Sequence, residues 1–429
     1  MLIHTVKAGD TLFSISQQYG VPLFYISESN GLTDAAKLAV GQSIAVPFPL
    51  IIHSVIAGDT LYKLASDYGT TINELYKNNL VLKGKPEIYA GQKLVIKVDK
   101  TPIGKYQIGG YSYPFISDDL LNTTLPFMNY LMPFTYGFNT DGTLVPLDDN
   151  RLIARAHKYQ TNPIMHLSSY TSEGTFSTEN AEYLLHNKQL WNILCTNIVD
   201  TIYEKNYSGL DIDFEFLGKK NALAYAEFVL YMRKELNQNG YPVIVALAPK
   251  TSDMQPGLLY EGHDYALIGA AANAVLIMTY EWGYTFGPPL AVSPIPNIKK
   301  VLEYAVTRID PSKIFEGISN YGYDFTLPYV AGESRATSLS TLQATNLAIE
   351  TGSTIEYDEV ASAPYFYYTK NEKKHVVWFE DARSIRAKLL LFKEFSLKGG
   401  LYWNLNRENA QNLTVLNCYI TRGESSLFR

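Results

Sequence analysis

The stretch Ser208-Gly209-Leu210-Asp211-Ile212-Asp213-Phe214-Glu215-Phe216 alternates apolar and acidic residues with a period of two. Side chains alternate across a strand, so the segment reads as a β-strand. Asp211, Asp213 and Glu215 share one face, and Leu210, Ile212, Phe214 and Phe216 share the other. Same-face neighbours lie about 6.6 Å apart, and no Lys or Arg falls within the segment to offset three carboxyl groups. Such crowding raises proton affinity and leaves at least one carboxyl protonated near neutral pH, the state a general acid requires. Two simpler readings compete. One is a wet acidic face, which a parallel strand covered on both sides disfavours. The other is a divalent metal site, since Asp-x-Asp-x-Glu offers only hard oxygen ligands, although no glycine-rich phosphate loop or second acidic cluster accompanies it.

Seven further short apolar runs, at 106–111, 130–136, 163–168, 243–248, 274–280, 314–318 and 400–403, flank this strand at 209–216. Helical patterns lie between several of them, notably at 222–239, 297–308 and 381–396. This alternation predicts a parallel sheet with helices outside it, and eight units predict closure into a (β/α)8 barrel. A barrel needs about 250 residues. The surplus falls at about 323–378, where Thr, Ser, Tyr and β-branched residues predict a small inserted α+β lobe between strands seven and eight, walling the cleft.

The N-terminal part is an internal repeat. His4, Gly9-Asp10-Thr11-Leu12, Tyr19-Gly20 and Asn30 recur 49 positions later as His53, Gly58-Asp59-Thr60-Leu61, Tyr68-Gly69 and Asn79. Gly41-Gln42 recurs as Gly91-Gln92. Each copy reads strand, helix, helix, strand. Asp10 and Asp59 are in position to cap the first helix, and Gly20 and Gly69 to end it. Modules this short are marginal alone, so two packed copies make physical sense.

The repeats resemble the LysM module, a peptidoglycan- and chitin-binding fold, over residues 1–97. That resemblance implies N-acetylglucosamine binding beside the Asp-Thr turn and the segment between the helices, through Asp10, Thr11, Asn30, Asp59, Thr60 and Asn79. An equally open reading leaves the two aspartates as helix caps only.

The acidic strand resembles the Asp-Gly-x-Asp-x-Asp-x-Glu motif of glycoside hydrolase family 18, the chitinase family. Met278-Thr279-Tyr280-Glu281, Tyr321-Gly322-Tyr323 and Trp403 follow in the matching order, and the resemblance spans 104–420. It divides the chain into modules at 1–49 and 50–98 and a barrel at 99–429. It implies a substrate-assisted, retaining mechanism, which the two carboxylates suit because they come from one strand and lie on one side of the sugar. On this resemblance Glu215 protonates the leaving oxygen and then activates water, and Asp213 orients the substrate's acetamido group. Asp211 tunes Asp213, Tyr280 bonds the acetamido oxygen, and Trp403 floors the sugar. Glu281, Met278, Tyr111 and Ser168 complete the expected cleft.

Two departures from the family pattern stand out: Ser208 replaces the motif's first Asp, and Glu281 replaces an Asp after the strand-six Tyr. With the LysM pair, Met-Thr-Tyr-Glu-Trp-Gly-Tyr resembles the spore-germination branch of N-acetylglucosaminidases. The implied substrate is spore cortex peptidoglycan or its fragments. An ordinary chitinase and a non-catalytic glycan-binding barrel are the alternatives, the second weakened by the presence of Glu215.

Composition narrows the remaining classes. Lys plus Arg number 36 against 42 Asp plus Glu, a formal charge of -6, which provides no cationic surface for nucleic acid or anionic lipid. No run of about 18 apolar residues predicts membrane insertion, and the start lacks a signal-peptide pattern. This agrees with assembly onto the spore coat or cortex from the mother-cell cytoplasm, with spore-coat proteins as possible partners. The pattern requires neither a metal nor a cofactor. Cys195 and Cys418 read as inert buried thiols, and His166 as a satisfied core imidazole rather than a ligand.

Overall fold

The computed structural model describes residues 1–32 and 37–427. The first repeat pairs strands Leu2–Thr5 and Ser43–Val46 antiparallel around helices Leu12–Tyr19 and Leu23–Ser29. The second pairs Pro49–Ser54 with Lys93–Val98 around Leu61–Asp67 and Ile72–Asn78.

Their first helices are capped by Thr11 and Thr60, not by the preceding aspartates. Each threonine hydroxyl accepts from the backbone N–H three residues on, Ser14 at 3.0 Å and Lys63 at 3.1 Å. Asp10 instead accepts from the Lys7 N–H at 2.7 Å and pairs with His4 Nε2 at 3.0 Å, while His4 Nδ1 lies 3.0 Å from the Tyr19 hydroxyl. His53, Asp59 and Tyr68 repeat this arrangement. The residues that recur in sequence therefore form a tie from the first strand to the far end of the first helix. Gly20 ends its helix as expected, in a left-handed conformation at φ 64°.

Eight parallel strands form the barrel: β1 (Gly104–Ser112), β2 (Tyr130–Pro133), β3 (Asn162–Pro163 and Met165–Ser168), β4 (Leu210–Asp213), β5 (Val243–Leu247), β6 (Ala274–Ile277), β7 (Ile314–Ser319) and β8 (Gly399–Trp403). They pair in sequence order, with β8 returning to β1. Ile164 interrupts β3, whose first part pairs with β2 and whose second part pairs with β4, completing the ring. Tyr130, Met132, Ile244, Ala246, Leu276, Phe315 and Leu401 fill the interior. Leu131, Leu167, Ile212, Val245, Ile277 and Ile318 face the helices. Burial on both faces is why these strands read as nearly continuous apolar runs.

The insertion after β7 is a five-stranded antiparallel sheet, Thr337–Leu339, Gly322–Leu327, Lys373–Trp378, Ala363–Lys370 and Glu356–Asp358 in spatial order, with helix Thr341–Glu350.

Both N-terminal modules are bonded to the helix Ala410–Tyr419 through buried polar groups. Gln411 Nε2 donates to Asn30 Oδ1 at 3.0 Å and to the Ser43 carbonyl at 2.6 Å, and the Thr414 hydroxyl donates to the Ser29 carbonyl at 2.8 Å. On the second module, Asn417 Nδ2 donates to Asn78 Oδ1 at 2.9 Å, and Lys100 Nζ joins Glu74 and Asn417 at 2.7 and 2.8 Å. The inserted lobe also meets the first module. The Ile355 carbonyl approaches so close to Gly41, at φ 83°, that no Cβ could be accommodated there.

Candidate active site

A cavity of about 440 Å³ opens at the C-terminal ends of the barrel strands. Tyr111 from β1, Asp213 and Glu215 from β4 and its extension, Met278, Tyr280 and Glu281 after β6, and Trp403 from β8 all line it. The β4 alternation holds through Asp213, where regular strand pairing ends. Phe214 packs outward on Tyr225 and Phe228, as the period predicts. Phe216 does not follow it. Its left-handed backbone, φ 58°, turns the ring out of the helix-facing set, and it lines the cavity half-exposed.

Asp211 lies beneath the cavity, fully buried. Its Oδ2 accepts from the Tyr111 hydroxyl at 2.8 Å and lies 2.7 Å from His166 Nδ1. The same imidazole directs Nε2 toward Asp213 Oδ2 at 3.9 Å, beyond hydrogen-bonding range, and Nε2 has no other partner among the described residues. His166 is therefore only half satisfied, against the expectation of a fully bonded core imidazole. Strand register explains its placement: His166 stands opposite Asp211, and Ser168 opposite Asp213. Phe134 stacks on the imidazole at 4.9 Å and packs edge-on to Trp403 at 5.0 Å.

Burial raises the Asp213 carboxyl to about 8, with the Glu215 charge adding to the effect and the His166 charge opposing it. Burial also raises Glu215. Two carboxyls in one desolvated cavity cannot both ionise easily, so the pair retains a proton near neutral pH. Tyr280 and Tyr111 are held as phenols far above the usual range, first by burial and then by neighbouring carboxylates, chiefly Asp213 and Glu215 for Tyr280 and Asp211 for Tyr111.

The sign of the Asp213 shift sets a stability test. A carboxyl that binds its proton more tightly when folded loses stability as pH rises from its unfolded value near 3.9 to about 8. Asp213→Asn should therefore raise the melting temperature, by an amount that grows between pH 4 and pH 8 and levels off above. Calorimetry across that range would contradict this if the gain were flat.

Glu281 also takes a left-handed conformation, φ 67°, which brings its carboxylate under the hydroxyls of Tyr321 and Tyr323. Burial raises its carboxyl and the two phenolic hydrogen bonds oppose that rise. Here the inserted lobe departs from expectation. None of the described residues lining the cavity belongs to its sheet, and it acts from behind, through Tyr323 on Glu281.

Ser168 is buried, bonded to the Thr135 hydroxyl at 2.9 Å and absent from the lining, where its neighbour Ser169 stands instead. Phe176 and Phe216 line the mouth, but a lone aromatic in a loop carries no periodic signal from which to foresee it.

In the modules, Asn30 and Asn79 are fully engaged internally. Asn30 bonds Ile26, both backbone groups of Ala45, and Gln411, while Asn79 bonds Leu75 and both backbone groups of Val95. Both are buried with no polar atom left for a sugar, which corrects the expectation that they bind glycan. Exposed aromatics at equivalent positions, Phe13 and Tyr62, are 62% and 76% accessible.

Cys195 and Cys418 are buried, their thiols pushed up to about 12 and 11 by desolvation. Among the described residues, no group of three His, Cys, Asp or Glu could hold a metal ion, and no helix is long and apolar enough to cross a membrane.

The glycosyl hydrolases family 18 model matches residues 131–408, and the LysM domain model matches residues 4–47 and 53–97. The chain is 37% identical to the cortical fragment-lytic enzyme of Bacillus subtilis (strain 168), over 97% of each chain. Its fold superposes on the crystal structure of the Bacillus megaterium QM B1551 spore cortex-lytic enzyme SleL with a TM-score of 0.82, at 36% identity over 98% of each chain. A chitinase from Chromobacterium violaceum shares the fold at a TM-score of 0.67 and 21% identity, over 72% of this chain and 98% of that one.

Proposed function

The chain belongs to glycosyl hydrolases family 18 and carries two LysM domains, and from this we propose a retaining N-acetylglucosaminidase acting on spore cortex peptidoglycan or its fragments. The observation that carries the reading is the convergence of Asp213, Glu215, Tyr280 and Trp403 on one cavity. Glu215 is the proton donor to the leaving glycosidic oxygen and then the base for water. Asp213 holds the acetamido group while its carbonyl oxygen attacks the anomeric carbon, and stabilises the positive charge of the resulting ring. Asp211 sets the state of Asp213, the Tyr280 phenol donates to the acetamido oxygen, and Trp403 stacks beneath the sugar. Met278 and Glu281 shape the neighbouring subsite. On this reading residues 1–49 and 50–98 hold glycan and residues 99–429 cut it, at the spore cortex. The names of the similar Bacillus proteins favour cortex over chitin.

Digestion of purified cortex followed by mass analysis of new reducing ends tests the assignment. N-acetylglucosamine at those ends supports it, and muramic acid there contradicts it. A metal-dependent hydrolase would lose activity in chelator, whereas this enzyme should retain it.

For glycan holding, the exposed rings of Phe13 and Tyr62 replace the buried asparagines as contacts, one on each module. Two weak sites on one chain gain from each other because the second binding step is intramolecular. The double change Phe13→Ala and Tyr62→Ala should weaken retention on insoluble cortex by about tenfold or more, while cleavage of a short soluble oligosaccharide stays unchanged. Equal loss on both substrates would contradict a holding role.

A further inference from the structure

Asp213 faces two demands. At rest it holds a proton, and once the acetamido group cyclises it must be anionic to stabilise the positive ring. The proton needs a destination within the barrel. Asp211 keeps a buried Oδ1 without a partner among the described residues, but its Oδ2 is already engaged by two groups, the Tyr111 hydroxyl at 2.8 Å and His166 Nδ1 at 2.7 Å, which favour the anion there. Glu215 is needed as the acid.

The basic atom directed at Asp213 is His166 Nε2, which is buried, has no hydrogen-bond partner among the described residues and lies 3.9 Å from Asp213 Oδ2. About 1 Å of carboxylate movement brings the two into hydrogen-bond range. The groups facing the imidazole are Tyr111 from β1 and Asp211 and Asp213 from β4, with Phe134 stacked on its face.

We propose that His166 is a positioning residue that takes the Asp213 proton on Nε2 as the acetamido group engages, and returns it on product release. The O–H bond of Asp213 breaks as the N–H bond at Nε2 forms, leaving Asp213 anionic and the imidazole cationic. Asp211 stabilises that cation through Nδ1–H, and the Tyr111 hydroxyl fixes Asp211 in turn. The arrangement follows the logic of a carboxylate that orients a histidine and stabilises its charged form. The stacked Phe134 ring holds the imidazole plane and keeps water from its face.

This inference rests on the proposed role of Asp213, and the test separates the two. In wild-type protein labelled with 15N at histidine, a thiazoline mimic of the cyclised sugar is added and the His166 Nε2 signal is followed, assigned by its absence in His166→Asn. The expected result is a change of Nε2 from unprotonated to protonated on binding. If the thiazoline binds and Nε2 stays unprotonated, the role of His166 is overturned. If the thiazoline does not bind an active enzyme, the substrate-assisted reading falls with it.

Kinetics give a second readout. Asn preserves a donor to Asp211 without the Nε2 arm, and Gln reaches toward Asp213 but cannot take a proton. Both His166→Asn and His166→Gln should lose about 100-fold in kcat with little change in KM and an altered pH profile. A wild-type pH profile and kcat in folded His166→Asn would overturn the proposal.

Discussion

Glu215→Gln should reduce turnover of cortex fragments by about 10³- to 10⁴-fold while the protein binds its glycan nearly as before. The substitution keeps the shape of the side chain and removes its proton, so the loss reports acid-base chemistry rather than packing. Glu215 lines the cavity beside Asp213, and burial raises its carboxyl toward the protonated form. The loss should shrink for a substrate whose leaving group departs without a proton, because the first step then no longer needs the acid. Equal losses on both kinds of substrate would assign Glu215 to a different step.

Asp213→Asn should cost about 10²- to 10³-fold in kcat, with KM little affected. Asparagine can still touch the acetamido group but cannot supply the negative charge that the cyclised sugar requires. Affinity for a thiazoline mimic should fall in step with kcat, since both report the same charged state. A variant that loses turnover but binds the mimic like wild type would show that Asp213 acts elsewhere. The same substitution is expected to raise the melting temperature, so this site is one where function is retained at the expense of stability.

Much of the site is legible in the sequence. Period-two alternation places Asp211, Asp213 and Glu215 together because strand geometry enforces it. The pattern breaks down at Phe216, where the chain has left the strand and adopts a positive φ that no local pattern announces. The order of β/α units is equally readable, because burial on both faces leaves apolar runs in the sequence. The helix caps are not, since Asp10 and Thr11 are both good caps and only the distant partner His4 decides between them. The importance of His166 is hidden for a related reason: it arises from lying opposite Asp211 in the neighbouring strand, 45 positions away. Asn30 and Asn79 recur with the module's glycan-associated motif, yet their partners are the module's own backbone and, for Asn30, a glutamine 381 positions away. An insertion beside a barrel mouth suggests a cleft wall. The tyrosines at the start of this one instead buttress Glu281 from behind.

The helix Ala410–Tyr419 has a wider consequence, because Gln411, Thr414 and Asn417 each spend hydrogen-bonding groups on an N-terminal module. Such modules no longer behave as interchangeable cassettes. On another catalytic body that covers the same face without matching partners, they would bury orphaned carbonyl and carboxamide groups, each costing about 1–3 kcal/mol. A transplant that keeps this face buried and satisfied therefore has to carry the helix Ala410–Tyr419 with the modules.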